Sequence, residues 1–291
     1  MDEIISEMFG FEGTGGLSHF PDLVLLVEAL ALMWVGKKLF DLACPFNLEE
    51  QLVKLDNKAI SLNFVGYLTG LALILQAVVS GPVESLGQSM FEVLVWGLVG
   101  NGLLIMAGRV NNWFILKGID NKQAMLEDSN LAVALVEVGS YLGSAAMIRA
   151  IILGESVGWA YDLGLTLFYF VLGQLSFVLY AFLYQKITSY DDLAEIKAGN
   201  AAAGITLGAN LGAMGFLMAV PLSQSYSLVL FLAWFVIGNA TLAGVRYALD
   251  HLVISSETLD HEIFVDKNWG AAALEGCFSV AAVLILTHLL G

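Results

Sequence analysis

Four asparagines, Asn57, Asn130, Asn200 and Asn268, each open an apolar stretch and are followed by small residues at shared offsets. Two positions on stand Ala59, Ala132, Ala202 and Gly270, and four positions on Ser61, Ala134, Gly204 and Ala272. Nine on are Gly66, Gly139, Ala209 and Cys277, and thirteen on Gly70, Gly143, Ala213 and Ala281. The asparagines are 73, 70 and 68 residues apart. Gap-free agreement at that period reads as four copies of one structural unit, each too small to bury its apolar face without its neighbours.

Composition decides where such units reside. The 291 residues are 58% hydrophobic and 13% charged, whereas soluble domains are roughly 45–50% apolar and about 25% charged. Eight apolar stretches, near 22–42, 59–80, 90–110, 130–152, 160–184, 200–221, 226–248 and 269–290, supply the roughly 20 helical residues that cross a hydrocarbon core of about 30 Å. An isolated span must satisfy its own backbone, and no run shows the alternation of barrel strands, so the stretches are read as helices. The expected fold is all-α: a polytopic integral membrane protein with eight transmembrane helices built from four two-helix repeats.

Eleven of the 12 basic residues fall at or in the loops joining spans one to two, three to four, five to six and seven to eight. They are Lys37, Lys38, Lys54, Lys58, Arg109, Lys117, Lys122, Lys186, Lys197, Arg246 and Lys267; Arg149 alone lies towards the other side. The positive-inside rule places those loops in the cytoplasm and both termini outside. The acidic first 21 residues lack a basic opening region and precede a full-length span, so they are expected on the outer surface rather than as a cleaved signal.

A net charge of −15 argues against nucleic acid and towards cations as ligands. Cys44 and Cys277 have no metal-ligand spacing and are read as small packing residues, and no cofactor or metal is expected. His261 has no second histidine four residues on, and there is neither a Walker loop nor a Gly-x-Ser-x-Gly elbow, so an enzyme is the least favoured class. Trp34, Trp96, Trp159 and Trp269 suit an interfacial belt, and Arg149 a headgroup anchor pairing with Glu155 or Asp162.

Each unit reads as an outward-starting helix, a cytoplasmic connector and a returning helix. Leu48, Leu52 and Leu55, Leu193 and Ile196, and Leu259 and Ile263 recur at helical intervals among Glu49, Glu50, Asp191, Asp192, Glu195 and Glu262, which predicts short amphipathic connector helices. On the returning helices, Gly66 with Gly70, Gly139 with Gly143, and Gly204, Gly208 and Gly212 clear bulk from one face. Their expected role is close helix packing, so the returning helices should form the inner bundle.

Chemistry would reside in polar side chains at membrane depth. Counting back 29 residues from the asparagines gives Glu28, Asn101 and Asn239, with Gln174 offered by the third unit; counting forward seven gives Phe64, Glu137, Leu207 and Glu275. Carboxylates in units two and four only imply two tandem four-helix domains, residues 1–155 and 156–291, superposable about an axis near the membrane normal. A glutamate at bilayer depth must be protonated, hydrogen-bonded or facing water. Asn101 and Asn239 are the expected partners of Glu137 and Glu275. That arrangement is either interhelical glue or a carrier of protons or cations.

The stretch from Ile187 to Gly204, an acidic amphipathic connector leading into Gly-Asn-Ala-Ala-Ala-Gly, resembles the signature of the YjfL-like family of small bacterial inner-membrane proteins, filed as a domain of unknown function. Asn130 to Gly139 is similar to the same pattern, which is clear in units two and three and faint in units one and four, where Lys58 and Trp269 follow the asparagine. The resemblance implies two fused copies in a bacterial inner membrane and names no mechanism. Two readings remain: a proton or small-cation pathway through Glu137, Glu275, Asn101, Asn239, Gln174 and Glu28, or a scaffold whose acidic connectors dock a cytoplasmic protein.

Overall fold

A computed structural model describes residues 20–81, 85–154, 156, 158–254 and 257–290. The acidic opening segment and Glu155 lie outside them. Among the described residues there are eight long helices: α1 (Phe20–Ala43), α2 (Lys58–Val79), α3 (Leu86–Val110), α5 (Leu131–Leu153), α6 (Trp159–Ile187), α8 (Ala201–Gln224), α9 (Leu228–Ala248) and α11 (Trp269–Leu290). Short helices α4 (Asn121–Glu127), α7 (Asp192–Lys197) and α10 (Leu259–Phe264) join them in units two to four, and a single π-helical turn, Glu50–Lys54, does so in unit one. The chain is a multi-pass helical membrane protein, with seven of the eight long helices long and apolar enough to cross a bilayer. The exception is α1, whose Asp22, Glu28, Lys37, Lys38 and Asp41 make it the most charged.

The repeat is visible in backbone geometry. Asp56, Ser129, Gly199 and Lys267 all have positive φ, and each immediately precedes a repeat asparagine. Only Gly199 adopts that conformation without crowding a Cβ. The turn then puts the asparagine at the helix N-cap, where Asn57, Asn130, Asn200 and Asn268 accept hydrogen bonds from the amides of Ile60, Val133, Ala202 and Gly270 at 3.0–3.1 Å. Such a cap contributes about 1 kcal/mol.

The connectors are tied back by a second recurring bond. The amide that opens each connector, at Leu48 just ahead of the unit-one turn and at the first residues Asn121, Asp192 and Leu259 of α4, α7 and α10, donates to a side chain at the end of the preceding long helix, namely Asp41, Asn112, Gln185 and Asp250. In units two and four the acceptor is carried by matching π-helical turns, Asn111–Ile115 and Leu249–Val253. Leu48, Ile196, Leu259 and Ile263 are fully buried, so the amphipathic connectors pack onto the bundle as well as facing the interface.

The four returning helices form a row, α2–α5–α8–α11, with α5 and α8 at its centre. Glycines set the spacing. A Cβ at Gly139 would collide with the backbone of Gly208, one at Gly204 would lie 2.5 Å from the Ala132 Cα, and one at Gly143 would lie 2.9 Å from the Leu211 carbonyl oxygen. At Gly66 it would lie 2.5 Å from Val138 and at Gly70 3.2 Å from the Tyr141 carbonyl oxygen, whereas at Gly212 the nearest atom is 3.6 Å away. Without a hydrophobic effect between helices in lipid, such backbone contact is a main source of association. The outer layer straddles the row: α3 packs on α2 and α5, α6 on α5 and α8, and α9 on α8 and α11. The expected inner bundle is therefore an open row, because α5 and α8 are flanked on both sides while α2 and α11 form its ends.

Candidate functional site

Glu137 and Glu275 occupy the same position on α5 and α11, both close to the connector end and both buried. Their surroundings differ. The Glu137 carboxylate accepts hydrogen bonds from Asn121 Nδ2 on α4 at 2.7 Å, from Asn63 Nδ2 on α2, and from the Tyr141 hydroxyl at 3.4 Å. Among the described residues it forms no ion pair. The Glu275 carboxylate instead receives both its oxygens' bonds from Arg246 Nη1 on α9, at 2.8 and 2.9 Å, with Asn210 Nδ2 at 3.4 Å. Arg246 also reaches Asp260 on α10 at 2.5 Å and the Tyr184 hydroxyl at 2.9 Å.

The repeat register explains the contrast. Arg246 stands 22 residues before Asn268, and the residue 22 before Asn130 is Gly108; Ser279 stands eleven after Asn268, and the equivalent of it is Tyr141. The Tyr141 hydroxyl lies 2.5 Å from where a Gly108 Cβ would be. Thus the first half fills with a phenol the space that the second half gives to a guanidinium. The connector charge is inverted too: Lys122 on α4 occupies the register of Asp260 on α10, and its amine donates to the Ala43 carbonyl.

A cavity of about 300 Å³ opens beside Glu137 at the connector end, bounded among others by Asn63, Asn121, Lys122, Tyr141, Cys44 and Arg109. Its wall includes the exposed Trp113 and Asp120, so it is partly open to the surface. Burial pushes the Cys44 thiol up to about 11, with nearby Lys122 opposing the shift. A smaller cavity, about 190 Å³, lies at the far end of α5, α8 and α11 beside Arg149 and Thr287, and shares no residue with the first.

The expected partners of the glutamates are elsewhere. Asn101 is fully buried, accepts the Tyr67 hydroxyl at 2.5 Å and donates to the Gly97 carbonyl, and Asn239 donates to the Phe235 carbonyl. A hairpin explains why: residues 29 before the asparagine lie seven residues, about 10 Å, farther from the connector than a residue seven after it. Gln174 donates to Ser144 at 2.8 Å and leaves its buried Oε1 unpartnered, as Glu28 leaves its Oε2. Glu28, Asn101, Gln174 and Asn239 do not join the glutamates in one layer. Arg149 donates to Gln76 at 3.2 Å rather than serving only as a headgroup anchor. Arg246, read as a loop charge, proved to be the buried ion-pair partner; its place inside the apolar stretch 226–248, on the helix that leads into the connector opposite Glu275, was the available signal.

The comparisons bear on family alone. The family model for the Domain of Unknown Function DUF350 matches residues 16–152 and again residues 158–290. The chain belongs to the DUF350 family. The two matches are tandem copies of the domain fused in one chain, so Glu137 falls in the first DUF350 copy and Glu275 in the second. No curated protein and no solved structure matches it.

Proposed function

We propose that this DUF350 protein is a non-enzymatic, multi-pass bacterial inner-membrane protein that passes protons or small cations, with Glu137 as the exchanging group. One observation carries the reading: a partly open cavity reaches a carboxylate held only by neutral donors. Lys122 lines the same cavity and acts on Glu137 through space, but its amine donates to the Ala43 carbonyl, so no cation is bonded to an ionised Glu137 among the described residues and a proton or a small cation from the cavity can neutralise it. By the distribution of basic residues the cavity faces the cytoplasm, both termini lie outside, and residues 1–155 and 156–291 act as the two domains. Arg246 neutralises Glu275 and holds α10 through Asp260, which supports a structural duty for this pair in the second half.

The test is flux into proteoliposomes across a range of cations and pH. Glu137→Gln keeps the side chain's shape, and a flipped Asn121 amide, whose Oδ1 is buried without a partner, can accept from the new NH2 group, so flux should vanish while the helical fold persists. A second reading, a scaffold that docks a cytoplasmic protein on acidic connectors, is favoured by the sealed Glu275 pair and by exposed Glu49, Glu50 and Asp191 at the connector end. Wild-type flux no greater than that of empty liposomes would move the conclusion to the scaffold.

A further inference from the structure

Neighbouring units are joined by one interface used three times. Counting from each repeat asparagine, position nine of one returning helix meets position eight of the next: Gly66 on Val138, Gly139 on Gly208 and Ala209 on Gly276. Position thirteen meets positions eleven and fifteen, as Gly70 does Tyr141 and Ala145, and Gly143 does Leu211 and Gly215. The asparagine itself completes the contact. Asn57, Asn130 and Asn200 donate from Nδ2 to carbonyls of the next unit's connector helix, those of Met125, Ile196 and Ile263, at 2.8–2.9 Å.

The row ends with both halves of this interface on its surface. At one end, α11 presents Gly270, Ala273, Cys277 and Ala281 at positions two, five, nine and thirteen; Gly270, Cys277 and Ala281 are exposed and Ala273 is half-buried. Asn268, exposed, donates to Glu262 of its own unit at 2.7 Å, as Asn57 and Asn200 also do to Gln51 and Glu195, but among the described residues it meets no following connector. At the other end, α2 presents Val65, Leu68 and Ala72 at positions eight, eleven and fifteen, with Val65 56% exposed and Leu68 and Ala72 half-buried, so among the described residues no returning helix covers this receiving face. Whereas α3, α6 and α9 each straddle two returning helices, α1 packs on α2 and α3, leaving Leu26, Val27, Leu30 and Trp34 exposed.

We infer that the protein assembles head to tail, the α11 face of one copy seated on the α1–α2 face of the next, with Asn268 reaching the connector carbonyl of Leu52. The occupant is a second copy because the surfaces are the complementary halves of an interface already formed three times within the chain. A contact of this kind is heterologous, so successive copies close into a ring or extend as a filament.

Cross-linking in native membranes tests this. In a Cys44→Ser background, Val65→Cys places a thiol opposite the native Cys277 of the next copy. Mild oxidation should give a ladder of dimers and larger species, reversed by reductant and lost on adding Cys277→Ser. Val236→Cys, 66% exposed on α9, should give none under the same conditions. Absence of a ladder beyond that control, or a disulfide closed within a single chain, would overturn the assembly. Cys277→Trp should leave only monomers by light scattering in mild detergent; an oligomer unchanged from wild type would overturn the proposed face.

Discussion

The two halves of this chain hold the same glutamate in opposite ways. In the first, Glu137 faces two amides, a phenol and a cavity; in the second, Glu275 faces a guanidinium that also binds the connector helix. Four register positions contribute to it: Gly108, Asn121, Lys122 and Tyr141 against Arg246, Leu259, Asp260 and Ser279. A duplicated unit has thus kept the carboxylate and exchanged its counter-charge for space.

The largest expected effect lies in the second half. Arg246→Met leaves Glu275 and Asp260 without their cation, and removing one partner of a buried pair costs about 3–5 kcal/mol. Thermal unfolding in detergent should show that loss, and the double variant Arg246→Met/Glu275→Gln should recover part of it. Glu137→Gln should be nearly silent in the same assay. Equal losses at Arg246 and Glu137 would break the contrast between the halves.

The contrast should also be transplantable. Gly108→Arg, Tyr141→Ser and Lys122→Asp together rebuild the second-half ion pair around Glu137 and fill the cavity. In a Cys277→Ala background, Cys44 then reports on access. In the parent it should react slowly with maleimide at neutral pH and faster as pH rises towards about 11, since the thiolate is the nucleophile. The triple variant should lose that labelling. Gly108→Arg alone should destabilise, because its Cβ meets the Tyr141 hydroxyl at 2.5 Å.

A smaller loss is expected at Asn121, whose register partner in the second half is Leu259. Asn121→Leu removes the 2.7 Å bond to Glu137 and leaves a buried oxygen one donor short, a cost of about 1–3 kcal/mol. A change within error would mean that the cavity solvates the carboxylate.

What the sequence made legible follows from what repeats. The asparagine caps and the small positions nine and thirteen recur in every unit, so span boundaries and the packing face could be read from one chain. In α1 the apolar residues Leu23, Leu25, Leu26 and Val27 mark a span, while Asp22, Glu28, Lys37, Lys38 and Asp41 make it the most charged of the long helices. Glu137 and Glu275 were recognisable by register, whereas their partners were not: Asn63 and Asn210 sit at different offsets, and Arg246 resembles a topological charge. Partner choice depends on depth in an antiparallel hairpin, and aligning on distance from the connector would have found Arg246.

The smallest expected effect concerns the connector of unit three, where the second half buries Asp192 at the place of the fully buried Leu48. Asp192 Oδ2 accepts the Thr188 hydroxyl at 2.6 Å, while its Oδ1 is buried without a partner. Burial raises its carboxyl from 3.8 to about 6, opposed by Thr188 and Arg246. The folded form therefore holds a proton that the unfolded form releases. That contribution is fully present below about 3.8 and is lost as pH rises through about 6, above which the fold carries a buried charge. Asp192→Asn keeps an acceptor for Thr188 and cannot ionise. Its melting temperature should exceed that of the parent above pH 6 and converge with it below 3.8. A difference independent of pH would show that the carboxylate is solvated in the fold, and the two connectors would then differ in side chain alone.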